Sequence, residues 1–142
     1  MGTSAELIRE WFDRVWNNND SDFIDRGLAE CCEVTGLSPE PIKTPADFHQ
    51  FHTMINSIFR DLHVEVDRIM EDGDTCSGVI TISAVHKPTN KPVQFQSSFF
   101  GNIRDNQICE VTNLVDYLSV LVQIGAIPGD VTEKGLMGQA IT

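Results

Sequence analysis

Across residues 93–125 the sequence reads VQFQSSFFGNIRDNQICEVTNLVDYLSVLVQIG, in which apolar and polar positions alternate through two strand-length runs before the spacing becomes helical. The second run sets Cys109, Val111, Asn113 and Val115 on one face, so Asn113 is the strongly polar member of an apolar stripe. A buried amide needs a partner, and that partner is either protein or ligand. The same pattern fixes register. A two-residue turn at Asp105-Asn106 pairs Ser98 with Asn113 and puts Gln96, Ser98 and Asn102 on the stripe, a poor match. One additional bulged residue pairs Phe99 with Asn113, Gly101 with Val111 and Ser97 with Val115, which brings Phe95, Phe99 and Ile103 to the stripe. Asn106 supports a bulged hairpin loop, which needs a residue in the left-handed region.

Upstream, Thr3-Ser4-Ala5-Glu6 has the form of a capping box, and Leu7, Ile8, Trp11, Phe12, Val15 and Trp16 follow at three- and four-residue spacing as one wide helical face. Asn17-Asn18-Asn19-Asp20 ends that helix, and Ser21-Asp22 opens a short second one containing Phe23, Ile24 and Leu28. A short strand is expected at 31–34. Pro39, Pro41 and Pro45 make 36–45 a loop. Thr44-Pro45-Ala46-Asp47 starts a third helix, whose stripe is Phe48, Phe51, Ile55, Ile58 and Phe59. His52 borders that stripe, whereas His49 points away from it and is expected to be solvated. Residues 62–70 alternate as a strand with one wet face, Glu71-Asp72-Gly73-Asp74 turns the chain, and 75–86 forms the next strand. The expected order is helix, helix, short strand, helix, then a run of antiparallel strands: an α+β fold. Ile127-Pro128-Gly129-Asp130 closes the compact pattern, giving a domain over 1–127 and a tail over 128–142 that is loose or packed on a partner subunit.

Length adds that 142 residues suit one domain, which buries roughly two-thirds of the unfolded chain's surface. Ten Lys and Arg against 21 Asp and Glu give a net charge of -11, which opposes nucleic acid and anionic lipid and suits a neutral, apolar small molecule. No apolar run approaches the roughly 18 residues of a membrane helix. The first residues lack a basic segment followed by an apolar signal core, and Glu6 stands where a myristoylation signal prefers Ser or Thr, so a cytoplasmic location is expected. Cys31, Cys32, Cys76 and Cys109 have no CxxC spacing and read as reduced thiols; no disulfide, metal or cofactor is expected.

Several short pieces resemble the SnoaL-like polyketide cyclases, a family within the nuclear transport factor 2-like superfamily that also holds the ketosteroid isomerases. They are Trp16-Asn17-Asn18-Asn19-Asp20, Ile58-Phe59-Arg60-Asp61-Leu62 with Glu71-Asp72-Gly73-Asp74, and Ile108-Cys109-Glu110 through Asp116 to Gln123-Ile124-Gly125, in the family's order and spacing. The resemblance implies a cone, in which a curved antiparallel sheet wraps around the N-terminal helices to form an apolar pocket. It also implies a homodimer. In such cyclases an acidic residue on the last strand and a histidine on its neighbour carry the proton transfers; the matching positions here are Asn113 and Phe99. An amide takes no proton at neutral pH and a phenyl ring relays none. Asp116 and Glu110 lie three residues from Asn113, on the opposite strand face, and Asp116 reads first as the cap of the final helix.

Two functions follow. The first is an enzyme acting on a small apolar carbonyl compound by isomerisation or cyclisation. There Asn113 would donate to the developing oxyanion, and His52 is the candidate base. The second is a ligand-binding or assembly module that keeps the cone without the chemistry. Both place Phe12, Trp16, Phe95, Phe99, Val111, Asn113 and Val115 around the ligand, although the aromatic residues equally suit a core and Asn113 equally suits an internal hydrogen bond.

Overall fold

A computed structural model describes residues 2–141. Helix α1 (Ser4–Trp11) is capped by Thr3, whose hydroxyl accepts from the Glu6 amide at 3.2 Å. The apolar face predicted as one helix is continuous, but its second half, Phe12–Asn17, is π-helical. The Asn18 amide reaches back to the Asp13 carbonyl at 2.8 Å, five residues away, so the turn is wider than an α-turn. Next come α2 (Asp22–Gly27), β1 (Leu28–Thr35), α3 (Pro45–Ile58), β2 (Phe59–Asp72), β3 (Thr75–His86), β4 (Lys91–Arg104), β5 (Gln107–Val115), α4 (Tyr117–Gln123) and α5 (Val131–Leu136). Thr44 caps α3 by accepting from Asp47 at 3.1 Å, as its sequence predicts. Ser21 makes no such bond at α2. Phe59, expected at the end of the α3 stripe, instead begins β2.

The five strands form one curved sheet in the order β1-β5-β4-β3-β2. Every pair is antiparallel except β1 with β5, which run parallel because the chain returns to that edge only after α3 and three intervening strands. Register shifts between Arg60 and His63 and between Val66 and Arg68 bend β2 around the helices. Leu7, Ile8, Trp11 and Val15 from the first helix, Phe48 and Phe51 from α3, and Val64, Ile80, Phe99 and Ile108 from the sheet share one buried cluster. Trp11 lies edge-on to Phe48 with ring centres 5.0 Å apart, a geometry worth about 1 kcal/mol beyond burial.

The hairpin joining β4 and β5 has the predicted register: Ser97 with Val115, Phe99 with Asn113, Gly101 with Val111. The extra residue, however, is not in the loop. Arg104 pairs with Gln107 across a tight turn in which Asp105 and Asn106 have φ of 52° and 59°, the two left-handed residues of a type I′ hairpin. The shift falls between Asn102 and Ile103, with Cys109 as the bulge. Ile108 therefore takes the inward position expected for Cys109 and is 2 % exposed. The Cys109 thiol turns to the Asn102 carbonyl at 3.2 Å.

Residues after α4 hold a short helix, α5, where no period was legible; Val131 is buried whereas Leu136 and Met137 are exposed. Among the described residues no helix is long and apolar enough to cross a membrane.

Candidate functional site

Helices and sheet enclose a partly open cavity of about 110 Å³. Phe12, Trp16, Phe95, Phe99, Val111, Asn113 and Val115 all reach its wall, brought together from the first helix and from adjacent strands β4 and β5. Phe12 packs edge-on to Phe99 at 5.4 Å between ring centres, which ties helix to sheet across the cavity.

Among the described residues the wall contains no Asp, Glu, His, Lys or Arg. Its polar side chains, apart from the two indoles, are Ser97, Asn113 and Tyr117, and they lie close together. Ser97 pairs with Val115, one inward position along from the Phe99–Asn113 pair, so Ser97 and Asn113 are diagonal neighbours on adjacent strands. Tyr117 follows β5 by two residues. Asn113 and Tyr117 also converge on one piece of backbone: the Asn113 amide nitrogen donates to the Thr35 carbonyl at 3.0 Å, and the Tyr117 hydroxyl to the Leu37 carbonyl at 2.5 Å. Between those carbonyls lies Gly36 at φ +88°, where a Cβ would overlap the backbone carbonyl oxygen of Asn113. Glycine is required there on both counts. Desolvation pushes the Tyr117 phenol above its ordinary value, which keeps it a proton donor.

His52 is not brought to this cavity. It is 5 % exposed, and its Nε2 donates to the Val15 carbonyl at 2.8 Å, an acceptor the π-helical turn leaves available because the Asp20 amide goes to Arg14 instead. Trp16 stands between, with its ring centre 4.9 Å from that of His52. The expected base is thus a buried brace of the first helix, and it lines a separate open groove that also includes Asn19, His49 and Asn56. His49 lies 3.0 Å from Asp25, partly exposed. Asp116 caps α4, accepting from the Ser119 amide at 3.1 Å, and Glu110 accepts from Asn102 at 3.0 Å on the outer face. Among the described residues no three His, Cys, Asp or Glu side chains are placed to hold a metal, and all four cysteines are free thiols.

Ser97 and Tyr117 escaped the sequence reading. Ser97 was within reach, since the register that sets Phe99 against Asn113 also turns Ser97 inward. Tyr117 carried no signal, because its contact with Leu37 joins positions far apart in the chain.

A family model described as SnoaL-like polyketide cyclase matches residues 6–124. No curated protein matches the chain. Among solved structures, similarity extends to a protein described as a SnoaL-like polyketide cyclase from Jannaschia sp. CCS1, at 19% identity and TM-score 0.78 over 88% of this chain and 93% of that one. IdmH from Streptomyces antibioticus, described as a polyketide cyclase, aligns with TM-score 0.79 at 16% identity, covering 87% of this chain and 99% of its own. A Catenulispora acidiphila protein with a ketosteroid isomerase-like fold, solved with trimethylamine, gives 0.76 at 14% identity over 84% and 92% of the two chains. At these identities the likeness is one of fold.

Proposed function

Because the chain belongs to the SnoaL-like polyketide cyclase family, we propose that its cavity takes up a small apolar carbonyl compound and promotes its isomerisation or cyclisation through hydrogen bonds. The observation that carries this reading is the wall itself: apolar almost throughout, with Ser97, Asn113 and Tyr117 gathered at one corner. Enolisation moves negative charge onto a carbonyl oxygen. The Ser97 hydroxyl, held only by a long 3.4 Å contact to the Ser98 carbonyl, is a donor in that low-dielectric wall for such an oxygen, whereas the Asn113 amide nitrogen is already engaged by the Thr35 carbonyl. Neither group removes the α-proton. Hydroxide or a buffer base admitted through the cavity mouth would take it and carry it away, since the described wall residues supply no carboxylate or imidazole.

That same feature favours a second reading, in which the fold keeps the cavity as a binding module and performs no reaction. Propiophenone separates the two. Titration followed by the fluorescence of Trp11 and Trp16, both in the wall, reports binding. Proton NMR in heavy water reports exchange of the ligand's α-hydrogens. Binding with exchange faster than in buffer, reduced by Ser97→Ala, supports the catalytic reading; binding with exchange at the buffer rate supports the binding module. Absence of any fluorescence response would count against both.

A further inference from the structure

Hydrogen-bond accounting at the polar corner specifies more than an apolar ligand. A backbone carbonyl only accepts, so the Asn113 nitrogen must face Thr35 and the amide oxygen must point the other way. The close seat of Gly36 on the Asn113 backbone holds the two strands at that distance, so the amide cannot exchange its ends without setting two oxygens against each other. Among the described residues no protein group donates to Asn113 Oδ1. Among the described residues no buried side-chain oxygen or nitrogen lacks a partner, so this oxygen is accessible, and its residue lines the cavity. Tyr117 repeats the arrangement: its proton is committed to the Leu37 carbonyl, and its oxygen keeps free lone pairs. The corner therefore presents two oriented acceptors, Asn113 Oδ1 and Tyr117 Oη, beside one adaptable hydroxyl, Ser97.

We propose that the site selects a ligand hydroxyl, as a phenol or as the enol tautomer of a carbonyl compound, and that Asn113 Oδ1 accepts its proton in a hydrogen bond. This rests on the cavity being a binding site, as proposed above, and adds which oxygen group it recognises. An ether or simple ketone sets lone pairs against lone pairs at Asn113 and leaves that amide oxygen desolvated without a donor. An enol satisfies it. A neighbouring carbonyl on the same ligand can then take the Ser97 proton, so hydroxyl and carbonyl are read by adjacent strands.

The test uses three probes of equal heavy-atom count, para-propylphenol, para-ethylanisole and propiophenone, titrated into the wild-type chain by tryptophan fluorescence. One additional hydrogen bond to a partly desolvated acceptor predicts that the phenol binds about tenfold tighter than the anisole. In Asn113→Leu, checked for folding by circular dichroism, the preference should disappear while the anisole still binds. Should that variant not fold, the wild-type comparison decides alone. Equal wild-type affinities for phenol and anisole would overturn hydroxyl selection and leave the binding cavity standing. No binding of any probe would overturn both.

Discussion

Replacing His52 with leucine separates two roles that its residue type permits, base and brace. The structure puts its Nε2 2.8 Å from the Val15 carbonyl, at a site 5 % exposed to solvent. Leucine is close in size, so the packing against Trp16 is largely kept and the principal loss is one hydrogen bond. What remains is a carbonyl desolvated with no donor, costing about 1–3 kcal/mol. For a chain of this length each kcal/mol moves the melting temperature by roughly 3 °C, so a fall of roughly 3–9 °C is expected. His52→Gln carries an amide donor at similar reach and should recover part of that loss. Denaturant unfolding followed by circular dichroism measures the stability, and α-hydrogen exchange of propiophenone, per folded molecule, measures the chemistry. The brace predicts that stability falls and exchange does not. If His52→Leu instead kept its full stability and lost exchange, His52 would be the base and its placement outside the cavity would be wrong.

Gly36→Ala should be among the most disruptive substitutions of a single methyl: the left-handed backbone costs about 1–2 kcal/mol, and relieving the overlap with Asn113 pulls Thr35 and Leu37 from their donors at about 1 kcal/mol each. Unfolding midpoints measure it, and a change below about 1 kcal/mol would refute the close approach. Glu71 takes a free amide in the first turn of α1, accepting from the Ala5 N–H at 2.9 Å, and that bond, followed by those from Thr3 and Ser4, lowers its carboxyl below the ordinary value. A carboxyl lowered in the folded state stabilises above its unfolded pKa, and that contribution is lost as pH falls through the lowered value. Glu71→Gln should therefore flatten the acid limb of stability against pH and leave the alkaline limb unchanged, as thermal melts across pH would record. The expected homodimer has a surface available in Phe100 and Leu114 on the outer sheet face, 52% and 75% exposed and diagonal neighbours across β4 and β5. Phe100→Lys with Leu114→Lys should convert a dimer to a monomer in light scattering, and an unchanged mass would place the contact elsewhere or exclude it.

Where local chemistry carried the signal, the sequence was explicit. Thr44 and Asp116 cap the helices they precede, because a cap depends on a side chain and an amide three residues away. The β4–β5 register followed from alternation, because slipping one residue would turn every apolar side chain outward. The position of its bulge did not follow: a loop insertion and an in-strand bulge at Cys109 give the same pairing beyond them, and only the backbone distinguishes the two. His52 failed as a candidate base for a related reason. Helical spacing places a histidine at the border of a stripe, but whether that border faces a cavity or another helix depends on the partner packed against it.

The chain by itself determined an α+β fold, the order of its elements through α4 and the inward file of Val111, Asn113 and Val115, because periodicity and capping act over a few residues and survive in one dimension; the cone was implied by the family resemblance. Tertiary structure decided the chemistry of the cavity. It closed the Thr35–Leu37 backbone onto Asn113 and Tyr117, turning the amide nitrogen of the one and the hydroxyl proton of the other toward that backbone, and it widened the first helix into a turn whose spare carbonyl holds His52. Hydrogen bonds between residues tens of positions apart leave no period in a sequence, so the direction in which Asn113 presents its amide could be read only from the fold.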